Sequence, residues 1–119
     1  LLGLLPDTAA TRGVIDSALL SAVNRGAILI NAGRGSAVRQ PALLDALANR
    51  QLRHAVLDVL EQEPLPPDDP LWAVPGLTIT SHTAAPTPAA AIIELLRDNY
   101  LRYREGQSLR FVVDFKRGY

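Results

Sequence analysis

Apolar positions along the chain form two kinds of pattern, short runs and longer stretches with helical spacing, and the two alternate. Leu1 to Leu5, Ala27 to Asn31, His54 to Val59 and Leu77 to Thr80 are runs of the first kind. Each is too short for a helix and lies among Gly, Pro or polar residues, so each predicts a strand. The run from Ala27 to Asn31 lacks polar alternation, the mark of a strand buried on both faces.

The intervening stretches carry helix signals. Asp16 is an N-cap for a helix with Leu19, Leu20 and Val23 on its apolar side, stopped by Gly26. Pro41 suits the first turn of a second helix, with Leu43, Leu44 and Leu47 as its stripe up to about Asn49. Strands alternating with helices in this way predict an α/β fold, a parallel sheet with crossover helices. After Glu61, the prolines Pro64, Pro66, Pro67, Pro70 and Pro75 impose an extended loop with at most one helical turn near Leu71 and Trp72.

A different pattern closes the chain. Thr87 and Pro88 read as a cap and first-turn pair for a long helix to about Glu105, with Ile92, Leu96, Tyr100 and Tyr103 on one face and Gly106 at its end. The basic tail predicts an edge strand over Phe111 to Asp114. The expected division is residues 1–87 as part of one α/β domain and residues 88–119 as a carboxy-terminal helix and tail.

Composition narrows the possibilities. A length of 119 residues, 48% hydrophobic, allows one modest core. Twelve basic residues balance twelve acidic ones, which leaves none of the basic footprint that nucleic acid requires. No Cys is present, so disulfides and thiolate metal sites are excluded and a reducing compartment such as the cytoplasm fits. The apolar start is cut by Pro6, far short of the roughly 20 residues of a membrane span. There is no Met, even at position 1, so the chain reads as starting inside a longer reading frame.

In open parallel sheets ligands gather at the carboxyl ends of strands, and three chemical groups sit at such ends: Arg34, Asp58 and His82. Arg34 lies between Gly33 and Gly35, small neighbours that allow close approach of a ligand while the guanidinium reaches a carboxylate; a plain turn arginine fits the same spacing. Glu63 is either one of several solvated acids or the partner of His82. A carboxylate meeting His82 would orient the ring and hold it as a proton donor. His54, at the start of a strand, reads as structural or at the surface. Gly33-x-Gly35 is not a dinucleotide loop, because Val38 stands where the third Gly belongs. Neither metal-ligand spacing nor a Gly-x-Ser-x-Gly elbow occurs.

Several motifs then coincide: Leu4-Leu5-Pro6-Asp7-Thr8 with Thr11-Arg12-Gly13, Arg25-Gly26-Ala27-Ile28-Leu29-Ile30-Asn31-Ala32-Gly33-Arg34-Gly35, Leu57-Asp58-Val59 with Glu63-Pro64-Leu65-Pro66, and His82. Together they resemble the D-isomer-specific 2-hydroxyacid dehydrogenase family. Pro70-Leu71-Trp72, Ala84-Ala85-Pro86-Thr87 and the ending Arg117-Gly118-Tyr119 look most like its glyoxylate/hydroxypyruvate reductase branch. The resemblance implies a partial Rossmann-like domain whose final helix and tail return toward a substrate domain not contained here.

It also implies a homodimeric oxidoreductase that reduces a small 2-oxoacid with NADP or NAD as cofactor. By resemblance, Arg34 binds the substrate carboxylate, His82 donates the proton and Glu63 orients His82. Asp58 accepts a hydrogen bond from the nicotinamide amide, and Leu5, Pro6, Ala32 and Gly33 line its ribose and ring. Glu63 stands where formate-oxidising relatives have Gln. His54, Leu60 and Ser81 depart from the usual Gly, Phe and Pro, and Ser81 would loosen the approach of His82. A co-repressor-like NAD(H) sensor or scaffold of the same fold, and an inactive chain, are the alternatives.

Overall fold

A computed structural model describes residues 1–118 and divides into two compact units, one from Leu1 to Ala84 and a second beginning at Ala85. In the first, four parallel strands lie in sequence order: β1 (Leu2–Gly3), β2 (Ala27–Asn31), β3 (Leu52–Leu57) and β4 (Leu77–Ile79). Parallel neighbours need crossovers. Helix α1 (Ser17–Ala22) joins β1 to β2, and α2 (Gln40–Ala48) joins β2 to β3. The third crossover is the proline-rich stretch, which holds only a 3-10 turn at Pro70–Ala73.

The register sets Leu29 beside Ala55 and Asn31 beside Leu57. Leu29, Leu52, Ala55 and Leu57 meet Leu20 of α1 and Leu43, Ala46 and Leu47 of α2 in one core. Leu29 and Leu43 are wholly shielded, and each leucine so buried contributes about 1.5–3 kcal/mol. The other face of the sheet differs. Ile30 is 41% exposed, and Ile28, His54 and Val56 are half-buried. The expected burial of β2 on both faces is therefore not found, because α1 and α2 both pack into the core on the Leu29 side.

Local differences have identifiable causes. Asp16 caps α1 as expected, its Oδ1 accepting from Leu19 N at 2.9 Å. The helix stops at Ala22, a turn before Gly26, because Gln51 Nε2 donates to the carbonyls of Leu20 at 3.0 Å and Val23 at 2.8 Å. Those carbonyls are the ones a further turn would engage. Strand β3 starts at Leu52, which pairs with Ala27, and ends before Asp58.

The second unit contains α3 (Ala89–Arg104). Pro88 itself takes the extended cap position, so Thr87 is not the cap. Gly106 adopts φ +67°. Its N–H bonds the Tyr103 carbonyl at 3.2 Å, and that of Gln107 bonds the Arg102 carbonyl at 2.8 Å, a Schellman ending. The strand expected at Phe111 to Asp114 does not form. Asn99 exchanges two hydrogen bonds with the Arg110 backbone, at 2.8 and 3.1 Å, Phe111 turns to φ +53°, and this unit has no described strand to pair with. Tyr119, the last residue of the expected tail, lies outside the described residues. No helix among the described residues is long and apolar enough to cross a membrane.

Candidate active site

Three loops leave the carboxyl ends of β1, β2 and β3 and pack backbone against backbone. A Cβ on Gly33 would lie 2.6 Å from the Leu5 nitrogen, and one on Gly35 only 2.0 Å from the Leu60 carbonyl carbon. The small neighbours of Arg34 therefore admit the protein's own loops, where the sequence pattern suggested an approaching ligand. Asn31, fully buried at the end of β2, ties the turn together. Its Nδ2 donates to the Arg34 carbonyl at 3.0 Å, and its Oδ1 accepts from Gly33 N at 3.3 Å.

Arg34 projects from this braced turn and is exposed. One guanidinium N–H donates to the Gly33 carbonyl at 2.8 Å, and among the described residues no carboxylate forms an ion pair with it. Leu5, Pro6, Ala32 and Gly33 gather along the same edge. Leu5 touches Gly33, Ala32 N donates to the Gly3 carbonyl at 3.0 Å, and the Pro6 carbonyl accepts from the Thr11 hydroxyl at 2.5 Å.

Glu63 and His82, nineteen positions apart, are in direct contact: His82 Nδ1 lies 2.8 Å from Glu63 Oε2. The second carboxylate oxygen accepts from Leu60 N at 2.7 Å. The His82 bond and then the Leu60 N–H hold the Glu63 carboxyl below its ordinary range, burial opposing. An ionised carboxylate can only accept, so the proton in this contact belongs to Nδ1. His82 Nε2 has no hydrogen-bond partner among the described residues, which leaves it available to a ligand.

Asp58 is the most heavily engaged acid. Although only 6% exposed, its carboxylate accepts from the Thr80 hydroxyl, from Thr83 N at 2.9 Å and from Ala84 N at 2.9 Å. These bonds, the Thr80 bond largest, lower its pKa from 3.8 to about 2 against the cost of burial. A cavity of about 410 Å³ opens beside both acids, bounded by Asp58, Leu60, Glu63, Leu65, Trp72 and His82. Arg34 is not among its lining residues. Among the described residues no cluster could hold a metal ion.

Sequence reasoning missed Asn31, Thr80 and Thr83. A polar residue ending an apolar strand just before a Gly was a usable signal for Asn31. Nothing local marks the threonines, since their partner lies over twenty residues upstream. His54, read from the sequence as structural or at the surface, has Nε2 2.9 Å from the Thr78 hydroxyl on the sheet.

Known proteins are similar to this chain in sequence and in fold. The family model described as D-isomer specific 2-hydroxyacid dehydrogenase, NAD binding domain, matches residues 1–84. Over all 119 residues the chain is 41% identical to glyoxylate/hydroxypyruvate reductase A of Citrobacter koseri and 42% identical to that of Salmonella paratyphi B. It spans 38% of the length of each of these relatives. An NADPH-dependent glyoxylate/hydroxypyruvate reductase from Sinorhizobium meliloti, solved with NADP and sulfate, superposes with TM-score 0.91 at 37% identity, over 99% of this chain and 39% of that one. A D-isomer specific 2-hydroxyacid dehydrogenase from Xanthobacter autotrophicus, solved with NADPH, gives 0.92 at 36% identity, over 99% and 49%.

Proposed function

The chain belongs to the D-isomer specific 2-hydroxyacid dehydrogenase family through its NAD-binding domain, and on that premise we propose that the protein reduces a small 2-oxoacid, glyoxylate or hydroxypyruvate, to the 2-hydroxyacid. The observation that carries this is the 2.8 Å contact of His82 Nδ1 with an ionised Glu63. It leaves Nε2 to deliver a proton, a geometry that a pure cofactor sensor does not need.

In this reading Arg34 binds the substrate carboxylate through its planar fork. The bracing of its turn by Asn31 keeps the guanidinium in place. His82 Nε2 gives its proton to the carbonyl oxygen as the carbonyl carbon is reduced, and Glu63 stabilises the charged ring before the transfer. A reduced nicotinamide, when bound, supplies the hydride. The residues fit its nicotinamide end: Leu5, Pro6, Ala32 and Gly33 offer apolar surface and backbone, and Asp58 retains one uncommitted acceptor position on Oδ2 for an amide N–H. No Gly-x-Gly-x-x-Gly loop occurs in these residues, so nothing here holds a pyrophosphate in that way. One structural relative is solved with NADPH, and another, described as NADPH-dependent, with NADP, which supports NADPH as the reductant. Cytoplasmic residence and pairing of two copies through the nucleotide-binding domain belong to the same reading.

The test is His82→Ala in the full-length polypeptide. Turnover of glyoxylate or hydroxypyruvate should fall roughly 10²- to 10⁴-fold while NADPH affinity is kept; unchanged turnover would sink the assignment.

A further inference from the structure

His82 occupies an unusual backbone position. Its φ is +54°, in the left-handed region that side-chain-bearing residues avoid. Something must hold it there. Three successive backbone N–H groups, those of His82, Thr83 and Ala84, all point at Asp58: the first to its carbonyl at 2.8 Å, the others to its carboxylate at 2.9 Å each. Successive N–H groups around a left-handed residue form a concavity that binds anions. Here the anion is the protein's own side chain.

Both flanks of this arrangement are anchored. Asp58 N donates to the Asn31 carbonyl at 2.9 Å, and Thr80 N donates to the Leu57 carbonyl at 3.0 Å. The Thr80 hydroxyl adds a bond to Asp58 Oδ1, the oxygen that also takes Thr83 N. The Thr83 hydroxyl also lies 3.5 Å from Oδ1, so that oxygen is fully engaged, while Oδ2 takes only Ala84 N.

We propose that Asp58 and Thr80 are positioning residues for His82, gripping the 80–84 loop so that the imidazole meets Glu63 with Nε2 turned outward. This rests on the assignment of His82 as proton donor. It gives Asp58 a task besides contact with the nicotinamide amide, and it gives Thr80 a task where none was assigned. Ser81 lies within the gripped segment, where rigidity comes from hydrogen bonds to Asp58.

Thr80→Val and Thr80→Ser separate the possibilities, because only the first removes the hydroxyl, and neither disturbs the charged carboxylate as Asp58→Asn would. In the full-length polypeptide, Thr80→Val should lower kcat roughly tenfold, the effect of losing one hydrogen bond to a charged group. The KM for NADPH should stay within about twofold, and Thr80→Ser should restore kcat. Carbon-13 NMR of the Glu63 carboxyl should show its titration moving up toward the ordinary range in Thr80→Val but not in Thr80→Ser, as contact with His82 is lost. A wild-type Glu63 titration and kcat in Thr80→Val would overturn the proposal, as would a raised KM for NADPH with kcat intact. If the wild-type protein reduces no 2-oxoacid, the functional assignment fails, while the Glu63 titration still decides whether Thr80 positions His82.

Discussion

The two compact units use the same kind of hydrophobic signal to opposite ends. In the first, Leu20, Leu43 and Leu47 project from short helices onto the sheet and are buried with Leu29 and Leu52. In the second, Ile92, Leu96, Tyr100 and Tyr103 recur at helical spacing along α3, yet all remain substantially exposed and no residue of the helix is buried. Periodicity therefore identifies an element without saying what covers it. Internal hydrogen bonds hold the second unit's shape: Arg102 pairs with Asp98 one turn away at 3.0 Å, Gly106 closes the helix, and Asn99 ties back the chain at Arg110. The candidate chemistry lies entirely in the first unit, where loop-to-loop contact and hydrogen bonds hold side chains in place.

Substitutions can break this contrast. Leu29→Ala should cost about 2–5 kcal/mol of the first unit's stability, whereas Leu96→Ala should change stability by about 0.5 kcal/mol or less. Thermal or denaturant unfolding followed by fluorescence of Trp72, the sole tryptophan, reads the first; equal losses from the two would erase the distinction. Gly35→Ala should cost about 1–3 kcal/mol, because its Cβ would meet the Leu60 backbone, which has little room to give. Hydrogen exchange in the 60–63 loop would register that displacement.

Acid should produce a smaller, graded effect. The folded-state pKa of Asp58, about 2, lies below its ordinary 3.8. Its stabilisation is therefore complete well above 3.8 and is lost as pH falls through the folded value. Trp72 fluorescence against denaturant should give a midpoint that declines over this interval. A midpoint independent of pH there would mean that the Asp58 bonds to the 80–84 loop are not made.

Much of the fold is legible in the amino-acid sequence alone. Strand β2 is bounded by Gly26 and the Ala32-Gly33 turn, Pro41 opens α2, and Gly106 closes α3; each is a local instruction with a backbone cause. Sequence reading fails where distant chain intervenes. Gln51 takes the carbonyls that would have extended α1, the stacking of both crossover helices on one face leaves Ile30 exposed, and Phe111 to Asp114 find no strand to join. The candidate site divides in the same manner. Arg34, Asp58 and His82 can be placed at strand ends from sequence, and Glu63 can be suspected. That Gly33 and Gly35 serve loop contact, and that Asp58 grips the loop of His82, depends on approaches between residues over twenty positions apart.

In the proposed function, Glu63 fixes the proton of the neutral His82 ring on Nδ1, so that Nε2 is the nitrogen that exchanges a proton. Nitrogen-15 NMR of the His82 ring, which distinguishes the two tautomers, tests this most directly. The neutral ring should carry its proton on Nδ1 and leave Nε2 bare, and Glu63→Gln should weaken that preference. A neutral ring with its proton on Nε2 and Nδ1 bare would contradict the claim.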